Sequence, residues 1–146
     1  DTSLEWLDRQ LATNLRVPYR LTQLLLPSLR QRRGQIVFVN SSATRGGRQG
    51  VAAYAAGKAA LHALADALRE EVNADGIRVL SVFPGRTATP MQDQILRAEG
   101  RSRDDVGLIA PAEVAATIVH ALTMPRTAEI TDLDIRPMPQ PRPSSS

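Results

Sequence analysis

The sequence predicts an α/β fold with a doubly wound parallel sheet, and two observations support that prediction. Segments with helical spacing of apolar residues alternate with short runs rich in β-branched residues, which is the pattern of strand–helix–strand units. The stretches at 35–40 and 77–83 are almost continuously apolar, as expected for strands covered on both faces. One helical segment separates each pair of consecutive strands, and such crossovers are right-handed in nearly all proteins.

The first helix is predicted from leucines that begin at Leu4 and recur with helical spacing. Thr2 and Glu5 precede and open this pattern as a capping box, which satisfies free N–H groups at a helix start. Pro18 lacks an N–H group and should therefore bend or split the helix. The segment should end at Arg32-Arg33-Gly34, before the strand at 35–40.

The remaining elements follow from local start and stop signals. Gly76 marks the end of a long helix, Pro84-Gly85 ends the second strand, and Pro111 suits the first position of a helix. One or two short helices are expected in the polar segment 87–107. The predicted order is helix 52–72, strand 77–83, helix 112–122 and strand 129–136.

Length and composition favour one domain. The chain has 146 residues and no cysteine, which excludes disulfides. It has no run of eighteen apolar residues, so we expect no membrane-spanning helix. We expect residues 1–137 to form the catalytic C-terminal portion of a single domain, and residues 138–146, rich in Pro and Ser, to be disordered. No signal peptide is visible, and a cytoplasmic location fits this composition.

The formal charge of +3 raises the alternative of a nucleic-acid-binding protein. The 17 arginines are scattered along the chain, and aromatic residues make up only 3%, too few for platforms on which bases stack. We therefore expect no nucleic-acid partner and no membrane partner.

Tyr54 and Lys58 carry the clearest chemical signal. They lie four residues apart at the start of the predicted helix 52–72, so their side chains share one face. An ammonium group beside a phenol favours the phenolate, which is what a tyrosine needs in order to exchange protons near neutral pH. Lys58 is the single lysine of the chain. The same pair on an ordinary helix surface is the structural alternative.

Ser41 follows the strand at 35–40, thirteen residues before Tyr54. Ligands of doubly wound sheets bind at the carboxyl ends of the strands, so a hydroxyl there could hold a substrate carbonyl near the tyrosine. Ser42 is the rival, because adjacent strand residues point to opposite faces. Capping the next turn is the structural alternative for either serine.

Three stretches together resemble the short-chain dehydrogenase/reductase family in order and spacing. That family carries a serine, then Tyr-x-x-x-Lys thirteen residues later, then Pro-Gly-x-x-x-Thr after the next strand. Asn14, in the helix before the serine strand, resembles the family's fourth catalytic residue. The resemblance covers about Leu4 to Arg136. It implies a Rossmann-like fold with three layers, in which a sheet lies between two layers of helices (αβα). The matching stretches are Asn40-Ser41-Ser42-Ala43, Tyr54-Ala55-Ala56-Gly57-Lys58-Ala59-Ala60-Leu61 and Pro84-Gly85-Arg86-Thr87-Ala88-Thr89-Pro90-Met91.

The resemblance implies hydride transfer between a nicotinamide cofactor, NAD or NADP, and a carbonyl or alcohol substrate. Tyr54 would give or take the substrate proton, and Lys58 would favour its phenolate and hold the nicotinamide ribose. Ser41 would orient the substrate oxygen, and Asn14 would hold a water that relays protons toward Lys58. Thr89 would contact the carboxamide, and Thr87 would act through its backbone. The residues expected to line the nicotinamide are Pro84, Gly85, Thr87 and Thr89.

The sequence departs from the family pattern at its start. No glycine-rich dinucleotide fingerprint and no first strand are present, so the residues that choose between NAD and NADP are missing. We expect the chain to be part of a longer protein with an N-terminal Rossmann half, because the strand at 35–40 would otherwise expose an apolar edge. Gly57 is a smaller departure, since many relatives have serine before the lysine.

Several alternatives remain open from sequence. The chain could be a non-catalytic dinucleotide-binding protein that reuses the fold, or an inactive fragment of the enzyme. Arg97, Arg101 and Arg103 in the polar segment could suit an anionic substrate or be solvated surface charge. No metal is expected, because His62 and His120 have no nearby His or Cys partner. The family implies a homodimer or homotetramer formed through the helices at 4–29 and 52–72.

Overall fold

The computed structural model describes residues 3–46 and 49–138. Within them, three strands form a parallel sheet in the order β1-β2-β3. Val39 lies beside Val82 in the register, and Pro84 lies beside Ile135. The predicted α/β fold with a parallel sheet is confirmed. The strands are β1 (Gln35–Val39), β2 (Arg78–Pro84) and β3 (Asp132–Ile135).

In the described part of the chain, five α-helices connect and flank the strands. They are α1 (Leu4–Leu11), α2 (Val17–Arg32), α3 (Ala52–Val72), α4 (Pro90–Ala98) and α5 (Pro111–Thr123). Short 3-10 turns lie at Ser42–Thr44, Asn73–Asp75 and Arg103–Asp105. The long helix was predicted with the bounds it has. Gly76 follows its closing turn with φ at 75°, a left-handed conformation that glycine adopts at little cost.

The first helix begins one residue later than predicted and is split. Its N-cap is Ser3, whose hydroxyl accepts a hydrogen bond from the amide of Trp6 at 3.2 Å; Thr2 lies outside the described residues. A π turn at Ala12–Arg16 separates α1 from α2, and the amide of Val17 donates to the carbonyl of Ala12, five residues back. Pro18 follows immediately and has no N–H to donate, so the split occurs where the sequence predicted it.

Helices cover the sheet on both faces, as a doubly wound fold requires. On one face α3 packs on the sheet through a cluster that includes Phe38, Leu61 and Val79. On the other, Leu80 and Val82 pack against Ala121 of α5. The side chains alternate between these two clusters because successive strand residues point to opposite faces.

The second edge of β1 is open. Within the described residues β1 pairs only with β2, and its other edge borders a cleft of about 410 Å³ lined by apolar side chains of α2, among them Leu21 and Leu25. Val39 is 51% exposed. Side chains of β1 do pack on both faces, with Phe38 on the α3 side and Val37 on the α5 side. The strand is only partly buried because its outer edge is open, whereas Val79 to Phe83 of β2 are buried.

The third strand is shorter than its predicted range of 129–136. The carboxylate of Glu129 accepts a hydrogen bond from the amide of Val79 at 2.7 Å, in the position that a backbone partner would occupy. Backbone pairing begins only with the bond from the Ser81 amide to the Thr131 carbonyl at 2.8 Å. The predicted disordered tail falls on Met138, which is described and exposed, and on 139–146, outside the described residues.

Among the residues that the structure describes, no helix combines the length and apolar character needed to cross a membrane.

Candidate active site

Tyr54 and Lys58 lie in the first two turns of α3, and both are partly buried. The Lys58 ammonium donates a hydrogen bond to the carbonyl of Val39 at 2.7 Å. This contact fixes the ammonium at the carboxyl end of β1, where ligands of such sheets bind. Gly50, with φ at 79°, makes the left-handed turn that leads the chain into α3.

The surroundings of Lys58 act on its protonation. Burial lowers the pKa of the Lys58 ammonium below its ordinary value, because the charged form loses hydration. An ammonium has three donors, and the contact with Val39 uses one of them. The other two are chemically suited to hydroxyl groups of a ligand at the same edge of the sheet.

Ser41 lies two residues after the end of β1 and caps the 3-10 turn Ser42–Thr44. Its hydroxyl accepts a hydrogen bond from the amide of Ala43 at 3.2 Å, and its carbonyl accepts one from the hydroxyl of Thr44 at 2.8 Å. The capping role considered from sequence is therefore present. It does not exhaust the hydroxyl, which retains its own proton to donate to a ligand. Ser42 lies inside the turn.

Asn14 lies in the π turn between α1 and α2. π turns inside helices are rare and frequently mark functional sites. The Asn14 side-chain amide donates to the side-chain oxygen of Gln10 at 2.8 Å. Asn14 and Lys58 both line the cleft beside β1, whereas Tyr54 and Ser41 lie outside that lining. The 3-10 turn after Ser41 contacts α3.

Gly57 allows the π turn to approach α3 closely. A Cβ atom at Gly57 would lie 3.2 Å from the carbonyl oxygen of Gln10 and 3.3 Å from Cβ of Asn14. Both distances are shorter than ordinary van der Waals contact. The glycine that departed from the family pattern therefore sets how near Asn14 comes to the helix that carries Lys58.

The segment after β2 is braced by β3 and by α4. The amide of Gly85 donates to the carbonyl of Ile135 at 2.7 Å, and a Cβ at Gly85 would lie 2.8 Å from Cδ of Pro137. Thr87 donates its hydroxyl proton to the carbonyl of Gly85 at 3.1 Å. Thr89 is the N-cap of α4 and accepts a hydrogen bond from the amide of Gln92 at 3.3 Å.

Sequence reasoning did not single out Asn40. This residue directly follows β1 and is only 4% exposed, and neither its side-chain oxygen nor its side-chain nitrogen has a hydrogen-bond partner among the described residues. The backbone N–H of Asn40 donates to the carbonyl of Val82 at 2.7 Å. A buried polar side chain without a partner is rare and indicates a functional or solvent-filled location. The one sequence feature that could have indicated a functional role for Asn40 was its position next to Ser41.

His62 has carboxylate neighbours that its sequence position did not reveal. Its Nε2 atom lies 3.2 Å from Asp132 and 3.4 Å from Asp66, and the three residues could in principle hold a metal ion. Arg45 pairs with Asp132 and Arg69 pairs with Asp66, both at 2.8 Å. Because two guanidinium groups already neutralise these carboxylates, we interpret the cluster as an ion-pair network.

Comparison with known proteins agrees with this geometry. The family model described as short chain dehydrogenase matches residues 1–100. An uncharacterized short-chain type dehydrogenase/reductase of Sinorhizobium fredii is 32% identical over 144 residues, which are 96% of this chain and 58% of that protein. The L-fucose dehydrogenase of Bos taurus is 32% identical over 129 residues, 82% of this chain and 48% of that protein.

A solved structure matches as well. The crystal structure of an oxidoreductase of the short chain dehydrogenase/reductase family from Burkholderia thailandensis has a TM-score of 0.81 and 26% identity, over 91% of this chain and 56% of that one. The chain spans about half the length of these relatives. The family model, the related sequences and the shared Rossmann-like fold lead to one conclusion: the chain belongs to the short-chain dehydrogenase/reductase family.

Proposed function

We propose that the protein is an NAD(P)-dependent oxidoreductase that interconverts a carbonyl and an alcohol, with Tyr54 as the general acid and base. The observation that carries the proposal is the Lys58 ammonium, held 2.7 Å from the Val39 carbonyl one helical turn beyond Tyr54. A fixed cation on the helix face that Tyr54 shares, at the ligand-binding edge of a parallel sheet, is an arrangement suited to proton transfer.

In this proposal Tyr54 gives its phenolic proton to the substrate oxygen in reduction and takes it back in oxidation. Lys58 stabilises the phenolate that remains, because opposite charges at close range favour the ionised form. The Ser41 hydroxyl donates a hydrogen bond to the substrate oxygen and keeps its proton. This bond orients the substrate oxygen toward Tyr54. The tyrosine can then act repeatedly, provided that its proton is replaced.

Asn14 would serve that replacement. It shares with Lys58 a cleft of about 410 Å³, which has room for water. The Asn14 side chain bonds Gln10 through its nitrogen, and its oxygen can accept a hydrogen bond from a water molecule. Such a water would carry protons between solvent and Lys58.

The residues present fit the nicotinamide end of the cofactor. Lys58 has donors to spare for ribose hydroxyls. Pro84, Gly85, Thr87 and Thr89 would line the ring, with Thr89 at the carboxamide. The cofactor supplies the hydride when bound. We propose no choice between NAD and NADP, because the residues that decide it are not in this chain.

We also propose a cytoplasmic location and a homodimer or homotetramer. Leucines of α2 support the second proposal, since Leu21, Leu24 and Leu25 are 54%, 62% and 47% exposed, and contiguous apolar surface marks interaction sites. Size-exclusion chromatography with light scattering measures the assembly directly. Elution as a monomer would contradict it.

Tyr54→Phe tests the proposed chemistry in the protein that carries this chain. We expect the variant to lose at least about 100-fold in kcat, which is the usual contribution of general acid–base catalysis, while cofactor affinity stays within a few-fold. Tyr19→Phe is a matched control, because Tyr19 is the other tyrosine and lies 48% exposed on α2. Turnover is followed by nicotinamide absorbance.

The outcomes separate the candidate functions. Turnover that survives in Tyr54→Phe would refute the role of Tyr54. Cofactor binding without turnover in the unsubstituted protein would favour the non-catalytic dinucleotide-binding alternative.

A further inference from the structure

Arg45 ends the 3-10 turn that begins at Ser41. Its amide donates to the carbonyl of Ser42 at 3.0 Å. Every backbone bond within this turn is local, so the turn itself does not fix its orientation on the sheet. The side chain of Arg45 makes the long-range contacts.

The Arg45 guanidinium lies on the end of the sheet. Its central carbon is 3.9 Å from the centroid of the Phe83 ring. Its Nη2 atom lies 2.8 Å from Asp132 and 3.2 Å from Asp134, and its Nε donates to Asp134 at 3.3 Å. The two aspartates are two residues apart on β3 and therefore share one face.

These contacts connect the three parts of the candidate active site. Phe83 is fully buried and directly precedes Pro84-Gly85. His62 lies on α3 two turns beyond Tyr54, contacts Asp132 at 3.2 Å, and packs its ring edge-on against Phe83 at 4.8 Å. Arg45 and His62 therefore contact the same aspartate and the same aromatic ring.

We propose that Arg45 is a positioning residue for Ser41. By holding the end of the turn on Phe83, Asp132 and Asp134, it fixes the direction of the Ser41 hydroxyl relative to α3. The inference rests on the proposed function of Ser41 and Tyr54. Arg45 is not assigned to anion binding, because two carboxylates already neutralise it.

The geometry separates this role from a general stabilising one. The Arg45 side chain is 33% exposed, and those of Asp132 and Asp134 are 30% and 42% exposed. Ion pairs this exposed contribute little to global stability, since solvent screens them. Removing Arg45 should therefore loosen the turn without much change in the unfolding midpoint.

The experiment compares Arg45→Gln with Arg45→Lys in the protein that carries this chain. Arg126→Gln is the control, since Arg126 is exposed and donates to the Gly76 carbonyl at the opposite end of the sheet. We expect Arg45→Gln to lower kcat about tenfold, because small misplacements of catalytic groups are costly, with the KM for cofactor unchanged. Arg45→Lys keeps the charge but not the planar fork and should recover only part of kcat.

A double-mutant cycle tests whether Arg45 acts through Ser41. In a Ser41→Ala background, Arg45→Gln should cause little further loss of kcat, because residues that act through one another are not additive. An undiminished tenfold loss in that background would overturn the proposal. So would an unchanged kcat in Arg45→Gln.

Hydrogen exchange keeps the test independent of activity. Arg45→Gln should speed exchange of the amides of Ala43, Thr44 and Arg45 at least about tenfold, while amides of β2 stay protected. Unchanged exchange at these three amides would overturn the proposal even if the protein had no turnover. Faster exchange together with full turnover in Tyr54→Phe would support the bracing contact and refute the proposed function instead.

Discussion

Arg69 should be one of the most sensitive positions for stability. It is 8% exposed and lies on α3, the helix that carries Tyr54 and Lys58. Its guanidinium donates to the carbonyl of Val79 at 3.0 Å and to that of Thr131 at 3.3 Å. The Val79 carbonyl lies where β2 extends beyond the start of β3, so Arg69 replaces its missing backbone partner. We consider Arg69→Met, which keeps the length of the side chain and removes its donors.

The magnitude follows from what the substitution leaves behind. A buried acceptor without a partner costs about 1–3 kcal/mol. Arg69→Met leaves one of them, the Val79 carbonyl, because the Thr131 carbonyl keeps its hydrogen bond from the Ser81 amide. Asp66 also loses its contact at 2.8 Å, but its side chain is 50% exposed and water can replace the arginine. The expected loss is therefore roughly 1–3 kcal/mol of unfolding free energy, and about 2 kcal/mol lowers the melting temperature by roughly 6 °C.

Urea unfolding followed by circular dichroism measures the change, and calorimetry measures the melting temperature. Arg126→Met is the matched control, because Arg126 also donates to a backbone carbonyl, that of Gly76 at 2.9 Å, but is exposed. Its loss should stay within about 0.5 kcal/mol. If the two variants were equally stable, the argument from buried carbonyls would be refuted.

Two further predictions concern Lys58 and Gly85. Burial lowers the pKa of Lys58 in the folded protein, whereas in the unfolded chain it has the ordinary value of about 10.4. At pH values between these two pKa values the unfolded chain holds a proton that the folded chain has lost. The unfolding free energy should therefore rise with pH in this range. Lys58→Met should flatten this rise in denaturation measured across alkaline pH; an identical slope would contradict it. Gly85→Ala places a Cβ 2.8 Å from Cδ of Pro137 and should destabilise the protein by roughly 1–3 kcal/mol in urea unfolding. Gly46→Ala is the control, because a Cβ there meets no atom of the described residues within 4 Å, and it should leave the unfolding free energy unchanged.

Much of the fold could be predicted because its signals are local. The apolar spacing of α3 and the turn at Gly76 lie within the segment that they define, and both bounds of this helix were predicted correctly. The end of β3 shows the limit. The pattern from Glu129 onward is strand-like, but the side chain of Glu129 takes the hydrogen bond of Val79, fifty residues earlier, and no local pattern carries that information.

The site divides in the same way. The spacing of Tyr54 and Lys58 is local to α3, and the structure places the Lys58 ammonium at the carboxyl end of β1. The contacts of Arg45 with Asp132 and Asp134 span 87 and 89 residues, so sequence spacing could not reveal them. Gly57 was noticed as a departure, but its reason, contact with the carbonyl of Gln10, required the two helices to be placed side by side.

The π turn at Ala12–Arg16 rotates the side chains of α2 about the helix axis relative to those of α1, although the spacing of leucines alone predicts one helix. A π turn accommodates one residue more than an α-helical turn, and each residue of a helix advances about 100° around its axis. The apolar stripes of α1 and α2 therefore follow different phases, so that α1 can contact α3 while α2 directs Leu21 and Leu25 toward the cleft at β1. A single-residue deletion in 12–16 would give a more regular helix and turn one of these surfaces away from its neighbour. In this segment, a regular α-helix and the simultaneous packing of α1 on α3 and of α2 along the cleft are alternatives.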